Sequence, residues 1–279
     1  MLYLCATPIG NLQDMSPRII ETLKQVDLIA AEDTRNSIKL LNHFEIHTPM
    51  TSYHEYNKVE KAYTLIEKMK DGADIALITD AGTPAISDPG EVLVKMCQEA
   101  GITVTSLPGP VACITALTLS GLSTRRFCFE GFLPADKKER LEILSDLKQE
   151  KRTMILYEAP HHLKKTLEIL FETLGNRRIT LCRELTKKFE TVLPTTLSEA
   201  LIYYKENDPR GEYVLVVEGR NPEEILEEKK KSFENISIED HVADYEKQGY
   251  DHKEAMKLAA KDRGVSKRDI YQYLLNIKK

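Results

Sequence analysis

The feature that most constrains this chain is an alternation, sustained over its first 220 residues, of short β-branched runs with amphipathic stretches. That periodicity predicts an α/β architecture built on parallel strands. The strand candidates are Leu2 to Ala6, Val26 to Ala31, Asp74 to Thr79 and Ile102 to Ser106 in the first half. In the second half they are Phe127 to Phe129, Thr153 to Tyr157, Arg178 to Arg183 and Tyr213 to Glu218. Helices are predicted between them. Ser16-Pro17 reads as an N-cap followed by proline at the first helical position, starting a helix that runs to Gln25. Lys58 to Lys70, Glu91 to Ala100, Val111 to Ser120, Lys137 to Lys148 and His161 to Leu174 follow the same logic, with Gly101 and Gly175 where C-terminal caps belong.

A boundary is expected near Gly121 to Arg125, where a small-residue helix ends and a new strand begins. This gives two similar α/β domains, 1–121 and 122–220, and a remainder, 221–279. After Gly219 the charged stretch NPEEILEEKKKSFENISIED reads as a solvated helix or linker. The tail beyond it, HKEAMKLAAKDRGVSKRDIYQYLL, reads as two helices joined by Gly264-Val265-Ser266, with Ser266 capping the second, a spacing that resembles a helix-turn-helix.

Charge divides along the same lines. A net charge of −5 over 279 residues argues at first against a nucleic-acid partner. From Lys253 to Lys279, however, eight Lys or Arg face three acids, so the tail carries +5 and the rest of the chain −10. Such asymmetry is the better guide to nucleic-acid contact. Arg177, Arg178, Arg183, Lys187 and Lys188 form a second basic cluster, and for both clusters a solvated face is the alternative. The five cysteines are scattered and never spaced as CxxC, so neither a disulfide framework nor a zinc knuckle is expected and a reducing cytoplasm fits. The apolar start MLYLCATPIG is too short for a signal peptide or a membrane span.

Several chemistries are set aside by absent motifs: no nucleophile elbow, no P-loop and no dinucleotide fingerprint is present. His43 and His47 have metal-ligand spacing on a helix, but Thr48-Pro49 ends that segment, so no metal site is expected. What stands out is a set of Pro/Gly/Asp loops, each directly after a strand candidate: Thr7 to Asn11, Asp80 to Gly90, and Leu107 to Pro110. In an open parallel sheet ligands bind outside the carboxyl ends of the strands, so three such loops are predicted to converge on one crevice. Glycine lets backbone approach a ligand and proline holds the loop rigid.

The stretches ATPIGNLQDMSPR, AEDTR, TDAGTPAISDPG, LPGPVACITAL, FEGFLP, YEAPHHL, CRELTKKFE and GEYVLVVEG, in order over residues 2 to 219, closely resemble the bacterial 16S ribosomal RNA (cytidine-2'-O)-methyltransferases of the tetrapyrrole methylase superfamily. The two-helix tail is similar to that family's C-terminal extension. AEDTR, DAGTPAISDPG and CRELTK together separate the set from the porphyrin and corrin methylases, which share the fold. The resemblance implies two α/β domains with mainly parallel sheets, S-adenosylmethionine in the cleft between them, a homodimer, and small-subunit 16S RNA as partner, with no membrane and no metal. By motif, Pro8, Asp80, Ala85, Ile86, Asp88, Leu107, Pro108, Gly109, Pro110 and Ala112 look like cofactor contacts. Val111 stands where many relatives carry serine, which removes one hydroxyl. The helix after Pro110 offers N–H groups to the methionyl carboxylate, and apolar loop residues suit adenine.

The implied reaction passes a sulfonium methyl to a ribose 2'-hydroxyl, helped by positioning and by a general base. Candidates on the matching motifs are Glu184 and Lys187, in the basic cluster, then Glu158 and Asp33, which equally suit structural ion pairs with Arg183 and Arg35. Arg183, Lys187 and Lys188, with Lys267 and Arg268 of the basic tail, are the residues expected to grip phosphates. Tyr157 and Phe189 are candidates to stack on a splayed base, with core packing as the alternative. Rival functions are a tetrapyrrole methyltransferase on the same fold, a non-catalytic RNA-binding protein, and a DNA-binding regulator that would rest on the tail alone.

Overall fold

The structure is a computed structural model that describes residues 1–221, 227, 231–233 and 235–277. The described chain divides into two compact units, 1–148 with 152–218, and 149–151 with 219–279.

The larger unit holds two five-stranded sheets, each at the centre of its own lobe. The first lobe contains β1 (Leu2–Cys5), β2 (Leu28–Ala31), β3 (Met50–Ser52), β4 (Ile75–Ile78) and β5 (Val104–Leu107), in the order β3-β2-β4-β1-β5. Every pair in it is parallel. Helices cover both faces, as parallel sheets require. On one face α1 (Pro17–Gln25) contributes Ile19 and Leu23 and α2 (Thr34–His43) contributes Leu41. On the other, α3 (Lys58–Lys70) and α4 (Glu91–Glu99) bury Leu65, Ile66, Leu93 and Cys97. Local chemistry sets these helices. Ser16 Oγ accepts from the Ile19 N–H at 3.3 Å with Pro17 at the first position, and Gly101, at φ +69°, follows the last turn of α4.

The second lobe contains β6 (Phe127–Phe132), β7 (Thr153–Glu158), β8 (Arg178–Arg183), β9 (Thr191–Thr196) and β10 (Tyr213–Val217), in the order β6-β7-β10-β8-β9. Here β6 and β7 are parallel while β10 and β9 run antiparallel to their neighbours, so five of the eight strand pairs described are parallel. One face carries α6 (Lys137–Gln149), α7 (Pro160–Leu174) and α8 (Leu197–Glu206) over Leu156, Leu181 and Leu215. The other is covered by α5 (Ala112–Leu119), which leaves the first lobe to pack Cys113, Ala116 and Leu117 on Ile155, Cys182 and Val214.

Several elements depart from the sequence reading. Strands β3 and β9 and helices α2 and α8 were not predicted, and β6 runs to Phe132 through a bulge at Glu130. His47 lies beyond the end of α2, so the two histidines do not share a helix. Among the described residues of the smaller unit, α9 (Ile238–Lys247) precedes the two helices expected for the tail, α10 (His252–Arg263) and α11 (Lys267–Ile277). They close on Val242, Ala255, Met256, Ala259 and Ile270. Gly264, at φ +63°, ends α10, and Ser266 Oγ accepts from the Asp269 N–H at 3.2 Å to start α11. The stretch read as a linker falls in large part on 222–226, 228–230 and 234, outside the described residues, as do Lys278 and Lys279. Among the described residues no helix is long and apolar enough to cross a membrane.

Candidate active site

Strands β4, β1 and β5 are neighbours and parallel, so the three Pro/Gly loops leave the sheet at one edge, side by side. They are knitted together through backbone. The Thr7 N–H donates to Gly82 O at 2.8 Å and the Gly82 N–H returns to Thr7 O at 3.0 Å. Thr7 Oγ1 donates to Thr79 O at 3.0 Å, and Thr83 Oγ1 to Pro110 O at 3.1 Å. A Cβ at Gly109 would sit 2.6 Å from that of Ala6, so only glycine lets the β5 loop close on β1.

These loops form one wall of a cavity of about 270 Å³. Its first-lobe lining includes Ile9, Gly82, Thr83, Ile86, Asp88, Val111 and Ala112. The opposite wall belongs to the second lobe: Phe132, Tyr157 and Glu158, the turn after β8 with Glu184, Leu185 and Lys187, and Glu212 to Val214. Four residues other than glycine with left-handed backbone, Ala85, Ser87, Glu184 and Thr186, lie in the long β4 loop and in that turn. Strain of this kind persists only where the surroundings impose it.

The charged turn of the second wall is held by its own network of ion pairs and hydrogen bonds. Lys187 Nζ bridges Glu184 Oε1 at 3.0 Å and Glu212 Oε2 at 2.8 Å, and the Glu212 N–H donates to Glu184 Oε1 at 2.9 Å. Burial works against ionising Glu184, yet the Glu212 amide and Lys187 outweigh it and hold the carboxyl below its ordinary value. Burial likewise opposes the Lys187 charge, but its two carboxylates keep the ammonium protonated above the usual range. Two glycines shape this turn from outside. A Cβ at Gly211, φ +74°, would lie 2.5 Å from Glu184 Cγ, and one at Gly10 would lie 2.4 Å from Lys187 Cγ.

Of the proposed bases, then, Glu184, Lys187 and Glu158 line the cavity and Asp33 does not. Glu158 is buried, with Oε1 accepting from the Ala159 N–H at 2.8 Å and Oε2 from Thr166 Oγ1. It makes no ion pair with Arg183 among the described residues. Asp33 caps α2 and is paired to Arg35, whose hydrogen bonds hold its carboxyl down to about 2. Of the expected cofactor contacts, Ile86, Asp88 and Ala112 line the cavity. Ala85 lies beside them in the same loop, and Asp80 accepts from Asn36 Nδ2 at 3.0 Å. Pro8, Leu107, Pro108, Gly109 and Pro110 form the supporting loops, Leu107 being buried and the Pro110 carbonyl taken by Thr83. Burial, aided by Glu32 and Asp80, pushes Asp88 up to about 6.

Tyr157 is part of the wall rather than an exposed platform. Its ring packs edge-on against Phe129 and Phe132 at 4.9 and 5.6 Å, and its hydroxyl accepts from the Cys113 N–H at 3.2 Å. Phe189, 67% exposed, has Lys188 Nζ 5.7 Å from its ring centre, and Arg183 Nη2 donates to its carbonyl at 3.1 Å. Lys267 and Arg268 open α11 in the smaller unit. Sequence reasoning missed Phe132, Glu212 and Tyr213, although FEGFLP and GEYVLVVEG held them. Among the described residues no group of three or more His, Cys, Asp or Glu could hold a metal.

A model of the family described as Tetrapyrrole (Corrin/Porphyrin) Methylases matches residues 1–201. The chain belongs to this family. Among curated relatives of this methylase, a protein of Halalkalibacterium halodurans is 50% identical over 270 residues, covering 97% of this chain and 93% of that one. One of Bacillus subtilis is 49% identical over 271 residues, covering 97% and 92%. Both are named Ribosomal RNA small subunit methyltransferase I. Among solved structures, a diphthine synthase is similar at TM-score 0.62 and 13% identity, over 78% of this chain and 89% of that one. The uroporphyrin-III-C-methyltransferase of Thermus thermophilus is similar at TM-score 0.54 and 17% identity, over 77% and 93%. These two likenesses establish the two-lobed α/β fold.

Proposed function

We propose that this methylase transfers a methyl group from S-adenosylmethionine to the ribose 2'-hydroxyl of a cytidine in 16S RNA of the small ribosomal subunit, acting in the cytoplasm as a homodimer. The observation that carries the reading is the meeting, at one cavity, of three backbone-built loops with one charged turn. The RNA acceptor is supported by the relatives, which are named for ribosomal RNA methylation at 49–50% identity.

The residues present fit the cofactor. Apolar Ile9, Ile86 and Val111 share the wall with Asp88, a carboxylate suited to a cationic ligand. The N-cap of α5, Val111, has no side chain to satisfy the helix N–H groups, and Tyr157 takes only that of Cys113, which leaves those of Ala112 and Ile114 for a carboxylate. When bound, S-adenosylmethionine supplies an electrophilic methyl on a sulfonium. The chain orients the acceptor and takes its proton. Glu184 is the best-placed base: Oε1 is held by Lys187 and the Glu212 amide, and among the described residues no donor reaches Oε2. Lys187 holds its proton and acts as the cation that fixes Glu184. Glu158, with both oxygens engaged, supports the start of α7, and Asp33 anchors α2. Arg183 and Lys188, with Lys267 and Arg268 of the tail, grip phosphates.

Mass spectrometry of small-subunit RNA digests from cells with and without the gene tests the reading. Loss of one ribose-methylated cytidine is the expected outcome. Labelled cofactor that marks uroporphyrinogen and not small subunits would instead assign a tetrapyrrole substrate. Reversing Lys267 and Arg268 to glutamate should weaken binding to the small subunit and leave S-adenosylmethionine affinity intact, measured by filter binding and titration calorimetry.

A further inference from the structure

A second cavity, about 570 Å³, opens on the face of the second sheet that carries α8. Its walls are Arg183 from the end of β8, Tyr213 from the start of β10, Tyr203 and Tyr204 from α8, and Asn207 and Arg210 from the loop that follows. Two features mark it as more than a packing defect. Arg183 spends one Nη on the Phe189 carbonyl, while its Nε is shielded from solvent and has no hydrogen-bond partner. Buried donors are nearly always satisfied, so the unpaired Nε marks Arg183, a residue of the cavity wall, as a guanidinium short of acceptors. Arg210 is exposed, and among the described residues its guanidinium has no partner.

Three tyrosines share the remaining wall with Leu181 and the β9 residues Thr191 to Leu193. The Tyr204 and Tyr213 hydroxyls meet at 3.4 Å, and the Tyr203 ring, 49% exposed, stands edge-on to Tyr204 at 4.9 Å. Of the two carboxylates at the rim, Asp208 is neutralised by Lys164 at 3.0 Å, leaving Glu206 as an acceptor. Two guanidinium forks beside an open aromatic ring match a phosphate and a base, the combination by which proteins hold single-stranded nucleic acid. The cavity also adjoins the active site. Arg183 and Glu184 are consecutive, and Tyr213 lines both cavities.

We propose that this cavity holds one nucleotide of the RNA strand that flanks the reacting cytidine, its phosphate between Arg183 and Arg210 and its base against Tyr203. The proposal rests on the RNA-methylating reading above. The Glu184 turn is then the ridge over which the strand passes, with the target ribose on one side and its neighbour on the other. Exposed Phe189, with Lys188 beside its ring, extends the same face.

The test uses the full chain and its Arg210→Glu and Tyr203→Ala variants, both at exposed positions. Methyl transfer to small subunits is measured first, then binding of a short fluorescent oligocytidylate across a salt series. Arg210→Glu should weaken the oligonucleotide about tenfold and lower the salt slope by about one, the signature of a lost phosphate contact. Tyr203→Ala should weaken it several-fold at unchanged slope, and both variants should keep wild-type S-adenosylmethionine affinity. Wild-type affinity and slope in Arg210→Glu, or no oligonucleotide binding by any form, overturns the subsite while wild-type methylation of subunits leaves the enzymatic reading standing. Absence of that methylation removes the reading itself. Displacement of the oligonucleotide by an equal concentration of free cytidine monophosphate would overturn the assignment to an RNA strand.

Discussion

The two walls of the active-site cavity are made in different ways. The first lobe presents backbone: loops tied by the Thr7–Gly82 pair and by Thr83 on the Pro110 carbonyl, with Asp88 as the carboxylate of its lining. The second presents side chains, a lysine held between two glutamates on a turn with left-handed Glu184 and Thr186. Backbone walls suit a ligand that is the same in every turnover, because their geometry hardly depends on side-chain rotamers. A charged turn suits proton handling and an acceptor that must be admitted and released. Substitutions on either wall should therefore separate, those on the second lobe moving turnover and those on the first moving cofactor affinity or loop stability.

The largest effect is expected at Gly211. A methyl there meets the Glu184 side chain at 2.5 Å at a φ of +74°, which alanine tolerates poorly. Displacing a catalytic group by an ångström costs about 100-fold. Steady-state kinetics of Gly211→Ala should show a fall in kcat of that order with unchanged S-adenosylmethionine affinity by calorimetry. An equal loss of cofactor affinity would erase the distinction between the walls.

Asp88 comes next. Because its folded value is raised to about 6 from 3.8, the fold favours the protonated acid. The stability this gives is complete below about pH 4 and is lost as pH rises through 6. Asp88→Asn should therefore melt above wild type at pH 7 and alike at pH 4 by scanning calorimetry. In wild type, affinity for the cationic cofactor should weaken about tenfold from pH 7.5 to 5, and the variant should be weak and flat across that range. A wild-type profile without pH dependence would remove Asp88 from the cofactor wall.

The smallest effect tests the backbone lock. Thr83→Val leaves the Pro110 carbonyl without its donor and should cost about 1 kcal/mol in urea denaturation, with kcat little changed. A large kcat loss would show that the first wall also governs chemistry.

Local composition made much of this readable in advance. The three loops were visible because Gly, Pro and Asp declare turns without tertiary help, and their convergence followed from parallel neighbours. The elements that escaped are those whose local signal is faint or contradicted. Strand β9 contains Pro194, which reads as a strand breaker and is tolerated here on a sheet edge. Strand β3 is only three residues long, also at an edge. The antiparallel course of β10 and β9 depends on sheet order, which periodicity does not encode. Helix α8 did carry a signal, the Thr196–Glu199 capping box. At the site, CRELTK identified Glu184 and Lys187, but their partner Glu212 lies 28 residues past Glu184 and meets it only in the fold.

The near-contact of Gly10 with Lys187 has a mechanical consequence. The β1 loop of one lobe rests against the lysine stem of the other across a gap too small for a methyl group, with the Leu185 carbonyl and Thr186 hydroxyl closing its sides. Such a point fixes how the two lobes meet: sliding one past the other would drive Gly10 into the Lys187 stem, the Thr186 hydroxyl and the Leu185 carbonyl. The charged turn thus takes part of its position from the opposite lobe, and any side chain at position 10 would push the Lys187 stem, and with it the ammonium between Glu184 and Glu212, out of place.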